Sequence, residues 1–562
     1  MRFPLSRRQL LAGVTAASAL SVVGCTTENK SRSAASSFQH GVASGDPDHN
    51  SLVIWTRVST DKDFENVSWE VAKDIDFNDI VASGNQTTSA ERDFTVKVLV
   101  NKLLPGNRYF YRFKTAAGSS MIGRTKTLAS GHVSKLGLAV ASCSNFPFGY
   151  FNAYDAIAKD EQVDLVLHLG DYIYEYAEDG WGGNVGKEIE RVHLPAHEIV
   201  SLEDYRQRHA QYKTDHGSQH MHAAHPLIPI WDDHETTNNP WMNGAQNHQP
   251  GTEGDWSNRR SASLQAYYEW MPIREPSIGM SRAQYWRNFS YGDLADIITL
   301  ETRHTGRALQ IDYAEHLPKI KTAQDRDRFM QEVLAAPERN MLSKDMESFL
   351  DKSLRNSVSE KRRWRIIANQ IPMARTHVPS LKHPFFNDLI KGLSKKDPSD
   401  AVAEEWKVMG RVGELDLPFY LDTWDGYGAA RERFYDLCAA AGAKDLLVLT
   451  GDSHAYWQNQ LFNQKGERMG VEIGTTGISS PGDFLRLGIE GAELLDNLVA
   501  EHNPEVIYTD NRYNGYVRVV LDHDKAATEF VTVSTVLKPE YKTEVVRSFN
   551  VVNDQESLNY TS

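Results

Sequence analysis

The sequence predicts an α/β protein in which a small all-β unit precedes a larger region of buried strands alternating with helices. Three observations carry this. Residues 36 to 132 hold short, turn-punctuated stretches rich in β-formers. From residue 133 onward, continuous apolar runs are separated by long helical stretches. Four of those runs end in the same kinds of polar residue. Continuous apolar strands between helices are the pattern of sheets covered on both faces.

The first 35 residues stand apart from the fold. "SRRQLL" carries Arg7 and Arg8, and the apolar stretch "LLAGVTAASALSVVG" runs to Cys25. Paired arginines before a modest apolar segment predict a Tat export signal. The competing reading is a chance pair ahead of an ordinary Sec signal. "VVGC" resembles a lipobox, which would leave Cys25 as a lipidated N-terminus. The expected location is periplasmic or at the cell surface, with membrane contact through that lipid alone. No later run reaches the ~18 apolar residues that a membrane-spanning helix needs.

Residues 36–132 contain "SLVIWTRV", "VSWEVAKD", "FTVKVLV" and "NRYFYRFKT", with "LLPGNRY" supplying a turn between the last two. Strands at this spacing predict a small β-sandwich. No cluster of catalytic residue types lies there, so its expected role is structural or docking.

Residues 133–545 are the expected catalytic domain. The buried strands are "LGLAVAS", "DLVLHLGD", "LIPIWDD", "LADIITLETR", "WRIIANQ" and "DLLVLTGD", and later "GYVRVVL" and "TEFVTVSTV". "RSASLQAYYEWMPIR" and "RFMQEVLAAPERNMLSKDMESFLDKSL" are the clearest helical stretches. With 562 residues, 40% hydrophobic and 24% charged, the chain has ample material for a large core. Its net charge of -14 argues against a nucleic-acid-binding surface. It does not exclude anionic small substrates, because local cations reverse the local field.

The strand ends carry the chemistry. One runs into Ser142-Cys143-Ser144, the next into Gly170-Asp171-Tyr172-Ile173-Tyr174-Glu175. A third delivers Asp232, Asp233, His234 and Glu235 without a spacer, and a fourth Gly451-Asp452-Ser453-His454. Ligands of such sheets bind beyond the carboxyl ends of strands, so these groups can share one site. Several carboxylates placed together repel unless cations lie between them. Two close metals would bind a phosphoryl oxygen and lower the pKa of a bound water. Taken singly, each feature has a plainer explanation. A lone Asp after a strand caps a turn, and Asp233-His234 makes an ion-paired loop. A lone buried Cys is a small hydrophobe. Only Cys143 and Cys438 follow Cys25, so no disulfide framework is expected.

"FQHGVASGDPDHNSLVIWTRV", "VASCSN", "LVLHLGDYIYEY", "YRQRHAQYKTD", "IWDDHE", "YYEWMPIR", "WRIIANQIPM", "WDGYGAARER" and "LLVLTGDSHAYW" follow one another along the chain. In this order the chain resembles the PhoD-like alkaline phosphatases, a branch of the metallophosphoesterase superfamily. The resemblance implies a four-layer αββα sandwich and a hydrolase of phosphate mono- or diesters that uses Fe(3+) and Ca(2+). It implies Cys143, Tyr174 and His454 as iron ligands, Asp171 as the bridging ligand, and Asp233 and Asp452 at calcium. Asn238 and Asn239 are weaker outer candidates, with no choice made between them. His234 and Asp171 are the implied catalytic residues, His234 as transition-state stabiliser or leaving-group acid. The expected reaction is in-line attack by a metal-bound hydroxide or oxide, releasing inorganic phosphate. Phenolate and carboxylate are hard ligands that suit Fe(3+), and loose oxygen-rich sites suit Ca(2+). One departure is Glu301, where the family usually has Asp before Thr-Arg, which weakens any role for Arg303. A phosphodiesterase or phospholipase-like enzyme on the same site is one alternative. A non-catalytic exported binding protein is another.

Overall fold

The computed structural model describes residues 37–388, 401–554 and 557–561; the leader with Arg7, Arg8 and Cys25 lies outside them. The N-terminal region contains β1 (Val42–Gly45), β2 (Leu52–Arg57), β3 (Phe64–Ala72), β4 (Ile80–Ser89), β5 (Thr95–Val100), β6 (Arg108–Thr115), β7 (Gly118–Ser119) and β8 (Gly123–Lys126). One layer is β4-β3-β6-β7, with β8 also on β6, and the other is β1-β2-β5. Leu52, Ile54, Val67, Val71, Val96, Tyr111 and Phe113 fill the space between them. This is the expected sandwich, with one addition. Its inner layer is not a separate sheet, because β1 runs parallel to β11 (Leu227–Pro229), with Gly45 opposite Leu227.

The catalytic region adds β9 (Leu136–Ala141) and β10 (Leu165–His168) before β11, then a short hairpin, β12 (Pro240–Trp241) and β13 (Gly244–Ala245). There follow β14 (Asn288–Tyr291), β15 (Ala295–Thr299), β16 (Trp364–Ala368), β17 (Leu446–Thr450), β18 (Tyr456–Phe462), β19 (Arg468–Gly474) and β20 (Val506–Asp510). The chain closes with β21 (Asn514–Leu521), β22 (Lys525–Val533), β23 (Thr543–Asn553) and β24 (Leu558–Thr561). One large sheet is ordered β24-β23-β22-β21-β9-β10-β11-β1-β2-β5, and the other β14-β15-β16-β17-β19-β18-β20. The first sheet therefore continues past residue 545 to its edge strand at 558–561.

Side-chain alternation along each strand builds the layers. In β9, Leu136, Leu138 and Val140 face the space between the sheets, while Ala139 and Ala141 face the helices. In β17, Leu447 and Leu449 point inward and Leu446 and Val448 outward. Each such fully buried aliphatic side chain contributes about 1.5–3 kcal/mol. Helices Asn152–Lys159, Leu202–Tyr212 and Trp256–Trp270 cover the first sheet through Ile157, Tyr205 and Tyr267. Helices Lys344–Ser359 and Gly428–Ala440 cover the second through Leu350, Leu354 and Phe434. The result is the αββα sandwich. Cys438 is a free thiol inside this last layer, where burial pushes its pKa up, so it acts as a small hydrophobe. Among the described residues, no helix is long and apolar enough to cross a membrane.

Candidate metal centre

β9, β10 and β11 run parallel in one sheet and β16, β17 and β19 in the other. Parallel strands deliver all their carboxyl ends to one side. Beyond them lie Cys143, Asp171, the Asp232–Glu235 run and the Asp452–His454 run. The two sheets are tied there just beyond β9 and β19, since Ser142 bridges Gly477 and Ile478 N–H donates to the Ser142 carbonyl at 2.9 Å.

The backbone at these tips is strained. Cys143, Asp171, Asp452, His454 and Asn239 all have φ between 51° and 61°. They are five of the thirteen non-glycine residues in the left-handed region among the described residues. Such conformations cost about 1–3 kcal/mol each and concentrate where geometry serves function. The glycines before two of these aspartates are needed for close approach. A Cβ on Gly170, at φ 102°, would lie 2.3 Å from Asp232 Cβ. One on Gly451 would lie 2.8 Å from Ser142 Cβ.

The predicted residues meet. Cys143, Asp171 and His454 place one donor atom each within 4.8 Å of one another. So do Asp171, Asp233 and His234, and also Asp171, Asp232, Asp233 and Asp452. Asp171 is common to all three groups. Tyr174 Oη lies 3.0 Å from Asp171 Oδ2 and 3.3 Å from His454 Nε2, on the cysteine side. Cys143 Sγ is 3.5 Å from Asp171 Oδ2. All of these side chains are buried, that of Asp452 least so at 9% exposure.

The crowded acids would be relieved by cations. Burial pushes the Asp171 carboxyl well above the usual range, and Asp233, Asp232, Glu235 and Asp452 push the same way. Burial likewise raises Asp232, with Arg303 opposing. Oδ1 of Asp171 and Oδ2 of Asp232 are buried and accept no hydrogen bond. Stranded carboxylate oxygens of this kind are costly unless a cation takes them up. A thiol, a phenol, an imidazole and a bridging carboxylate fit a redox-capable or hard transition-metal ion. The group of four carboxylates fits a hard divalent ion.

Several contributors were missed as such in the sequence. Asp232 belongs to the carboxylate group but is shared with Arg303, whose Nε lies 2.5 Å from Oδ1. Glu235 belongs to none of these groups. It accepts backbone N–H groups from Asp171, Tyr172 and Asp232 at 2.5–3.1 Å and so locks two strand tips together. Glu175 Oε2 holds His234 Nδ1 at 2.7 Å. Burial alone would raise Glu175, but the His234 charge and hydrogen bond bring it down to about 2. Arg208 donates to the carbonyls of Tyr174 and Tyr176 and so fixes the loop carrying Tyr174. Trp181 stacks on His454 at 5.5 Å and 12°. Glu175 and Glu235 stood inside the quoted strand-end motifs, and that was the only sequence signal for them.

Asn238 and Asn239 fall beside the centre, differently placed. Asn239 donates its backbone N–H to Asp233 Oδ2 at 2.9 Å, whereas Asn238 donates its own to Glu175. Both line a narrow cleft of about 90 Å³ with Asp422, Asp452, Ser453 and Arg486. A larger surface cavity of about 1140 Å³ elsewhere shares no residue with the centre. Glu301 takes the place of the expected aspartate by folding back, accepting the N–H groups of Arg303, His304 and Thr305 at 2.7–2.9 Å. Arg303 is completely buried among Asp232, Asp233 and Asp422, so the departure at 301 leaves its placement intact.

A four-layer sandwich with acids and histidines at converging strand tips defines the class: a metallophosphoesterase fold. The family model described as PhoD-like phosphatase matches residues 138–530, and that of the PhoD-like phosphatase N-terminal domain matches residues 24–129. Alkaline phosphatase D of Bacillus subtilis (strain 168) is 33% identical over 540 residues, covering 93% of this chain and 82% of that one. A solved structure of PhoD superposes with TM-score 0.74 at 30% identity, covering 95% of this chain and 94% of that chain. The chain belongs to the PhoD-like phosphatase family, and it is a phosphoric ester hydrolase of the PhoD alkaline phosphatase type.

Proposed function

We propose that this enzyme releases inorganic phosphate from phosphate esters at two adjoining cation sites that share Asp171. The observation that supports this reading is the membership of Asp171 in both the Cys143–His454 group and the Asp232–Asp233–Asp452 group. Cys143, Asp171, Tyr174 and His454 would hold Fe(3+). Asp171, Asp233 and Asp452 would hold Ca(2+), with Asp232 beside them. Bound there, the cations supply charge neutralisation and Lewis acidity toward water and phosphoryl oxygen.

The protein's own groups do the rest. The Glu175 carboxylate keeps a proton on His234 Nδ1 and aims Nε2 into the site. A protonated His234 paired with ionised Glu175 donates from Nε2 to the departing alkoxide. Arg303 offsets part of the acid charge without entering the cleft. Asn239 steadies Asp233 through its backbone N–H. Export of the mature protein by the Tat route, with or without lipid on Cys25, belongs to the same proposal and rests on the sequence signal alone.

The test is hydrolysis of an aryl phosphate by the purified enzyme before and after exhaustive chelation, with metal content measured in parallel. Turnover should vanish and return on adding Fe(3+) and Ca(2+) together. Full activity in metal-free enzyme would overturn the reading. Comparing mono- and diesters on one preparation sets the ester class. Replacing His234 by Asn should slow esters of poor leaving groups more than nitrophenyl esters. An equal effect on both would remove His234 as the acid.

A further inference from the structure

We infer that a further metal-ion site, for a late first-row divalent cation and separate from the strand-tip centre, lies on the outer face of the first sheet's helical layer, formed by His216 and His220. The two residues sit at i and i+4 in the helix His216–Ala224, hence on one face. Their rings lie 3.7 Å apart between centroids, tilted by 54°. Two imidazolium rings at that separation would repel, whereas one cation shared by two neutral rings attracts both. His220 is already oriented for the task. Its Nδ1 lies 2.8 Å from Asp155 Oδ1, across from the neighbouring helix Asn152–Lys159. That carboxylate fixes the proton on Nδ1 and leaves Nε2 as the donor atom, the arrangement that metal-binding histidines adopt. His216, His220 and Asp155 each offer an atom within 4.8 Å of the others.

The surroundings are consistent with this. Asp155 is itself held by Lys159 at 2.5 Å and by the Tyr541 hydroxyl at 2.7 Å, so the orienting carboxylate is anchored from three elements. The adjoining groove, of about 1140 Å³, is lined by Asp155, Asp160, Glu161, Glu540 and Glu544 together with Lys159, Arg518 and Lys542. Imidazole pairs select Zn(2+), Ni(2+) or Cu(2+) over the hard cations suited to the carboxylate site. A cation there would pin the Tyr541 loop to both helices through Asp155. It plays no part in the hydrolytic chemistry, and its residues are not those of the strand-tip centre.

The test uses the intact, metal-loaded enzyme. Calorimetric titration with Zn(2+) should show one equivalent bound beyond the metals already present. Paramagnetic resonance after adding one equivalent of Cu(2+) should show coupling to two nitrogens. In the His216→Ala/His220→Ala variant that equivalent should be lost, with aryl phosphate turnover unchanged. Asp155→Asn should weaken it by about tenfold or more while keeping the nitrogen coupling. Zinc binding of the same stoichiometry and affinity in the double variant, or copper spectra without nitrogen coupling, would overturn the inference.

Discussion

Two clusters of buried ionisable groups flank Tyr172, and they solve the same problem in opposite ways. On one side lie Asp171, Asp232, Asp233 and Glu235, with Arg303 the fully buried cation among them. On the other lie Lys213, His168, His209 and His222, with no carboxylate partner for the lysine among the described residues. Its Nζ donates to Tyr172 Oη and faces His222 Nε2, both at 3.1 Å, and sits 4.9 Å from the Trp55 ring. Burial lowers His168 to about 3 and pushes His209 and His222 well below their ordinary value. Bases can shed their charge by losing a proton, so this cluster needs no visitor. Carboxylates in the same environment must gain a proton or a metal ion, and only the metal makes them useful. A histidine–lysine core therefore suits a structural role, and the acid core is the one whose chemistry suits bound cations.

The comparison breaks most visibly at Asp171. Asp171→Asn should cut turnover by more than the ~10²–10³-fold that loss of a single electrostatic group costs. It should also raise the melting temperature of the metal-free protein, because it removes the most crowded charge. A metal-free variant less stable than metal-free wild type would contradict the repulsion. Next in size is Glu175→Gln, expected to lose about 10–100-fold in turnover or metal retention through its hold on His234. Steady-state kinetics with matched metal analysis separates the two.

The base cluster is tested by pH. Burial lowers Lys213 to about 7, against 10.5 for the unfolded chain. Between those values the unfolded chain binds the extra proton, so stability rises with pH across that window. The slope from this group is at most about 1.4 kcal/mol per pH unit. Below pH 7 its cost is fully present. Lys213→Met should flatten that part of a denaturation profile and stabilise the protein most at and below neutral pH; an unchanged slope would mean the ammonium is well paired. Smallest is Glu301→Asp, which shortens a carboxylate that already satisfies its turn. It should change stability by about 1 kcal/mol or less and leave turnover intact, by urea denaturation and initial rates.

The strand-tip residues were legible because each stands next to an apolar run long enough to betray a buried strand. Cys143, Asp171, Tyr174, Asp233, Asp452 and His454 needed only that local signal and a shared motif order. Glu235 and Glu175 were visible as letters but not as roles, since their work is to clamp N–H groups and a ring brought from other segments. Arg208 and Trp181 gave no signal, because a helix arginine or a loop tryptophan has the same local pattern whether or not it braces a ligand.

By itself the sequence determined which strands are buried on both faces, where they end, and which donor atoms each end carries. Hydrophobic periodicity and residue chemistry are local properties, and local properties survive without coordinates. Only the tertiary structure decided that Asp171 is common to all three strand-tip donor groups, that Arg303 takes part of Asp232, and that the N-terminal sandwich shares the main sheet through β1 and β11. Those outcomes depend on distances between segments far apart in the chain, and such distances are set by the packing of two sheets and not by any stretch of residues within them.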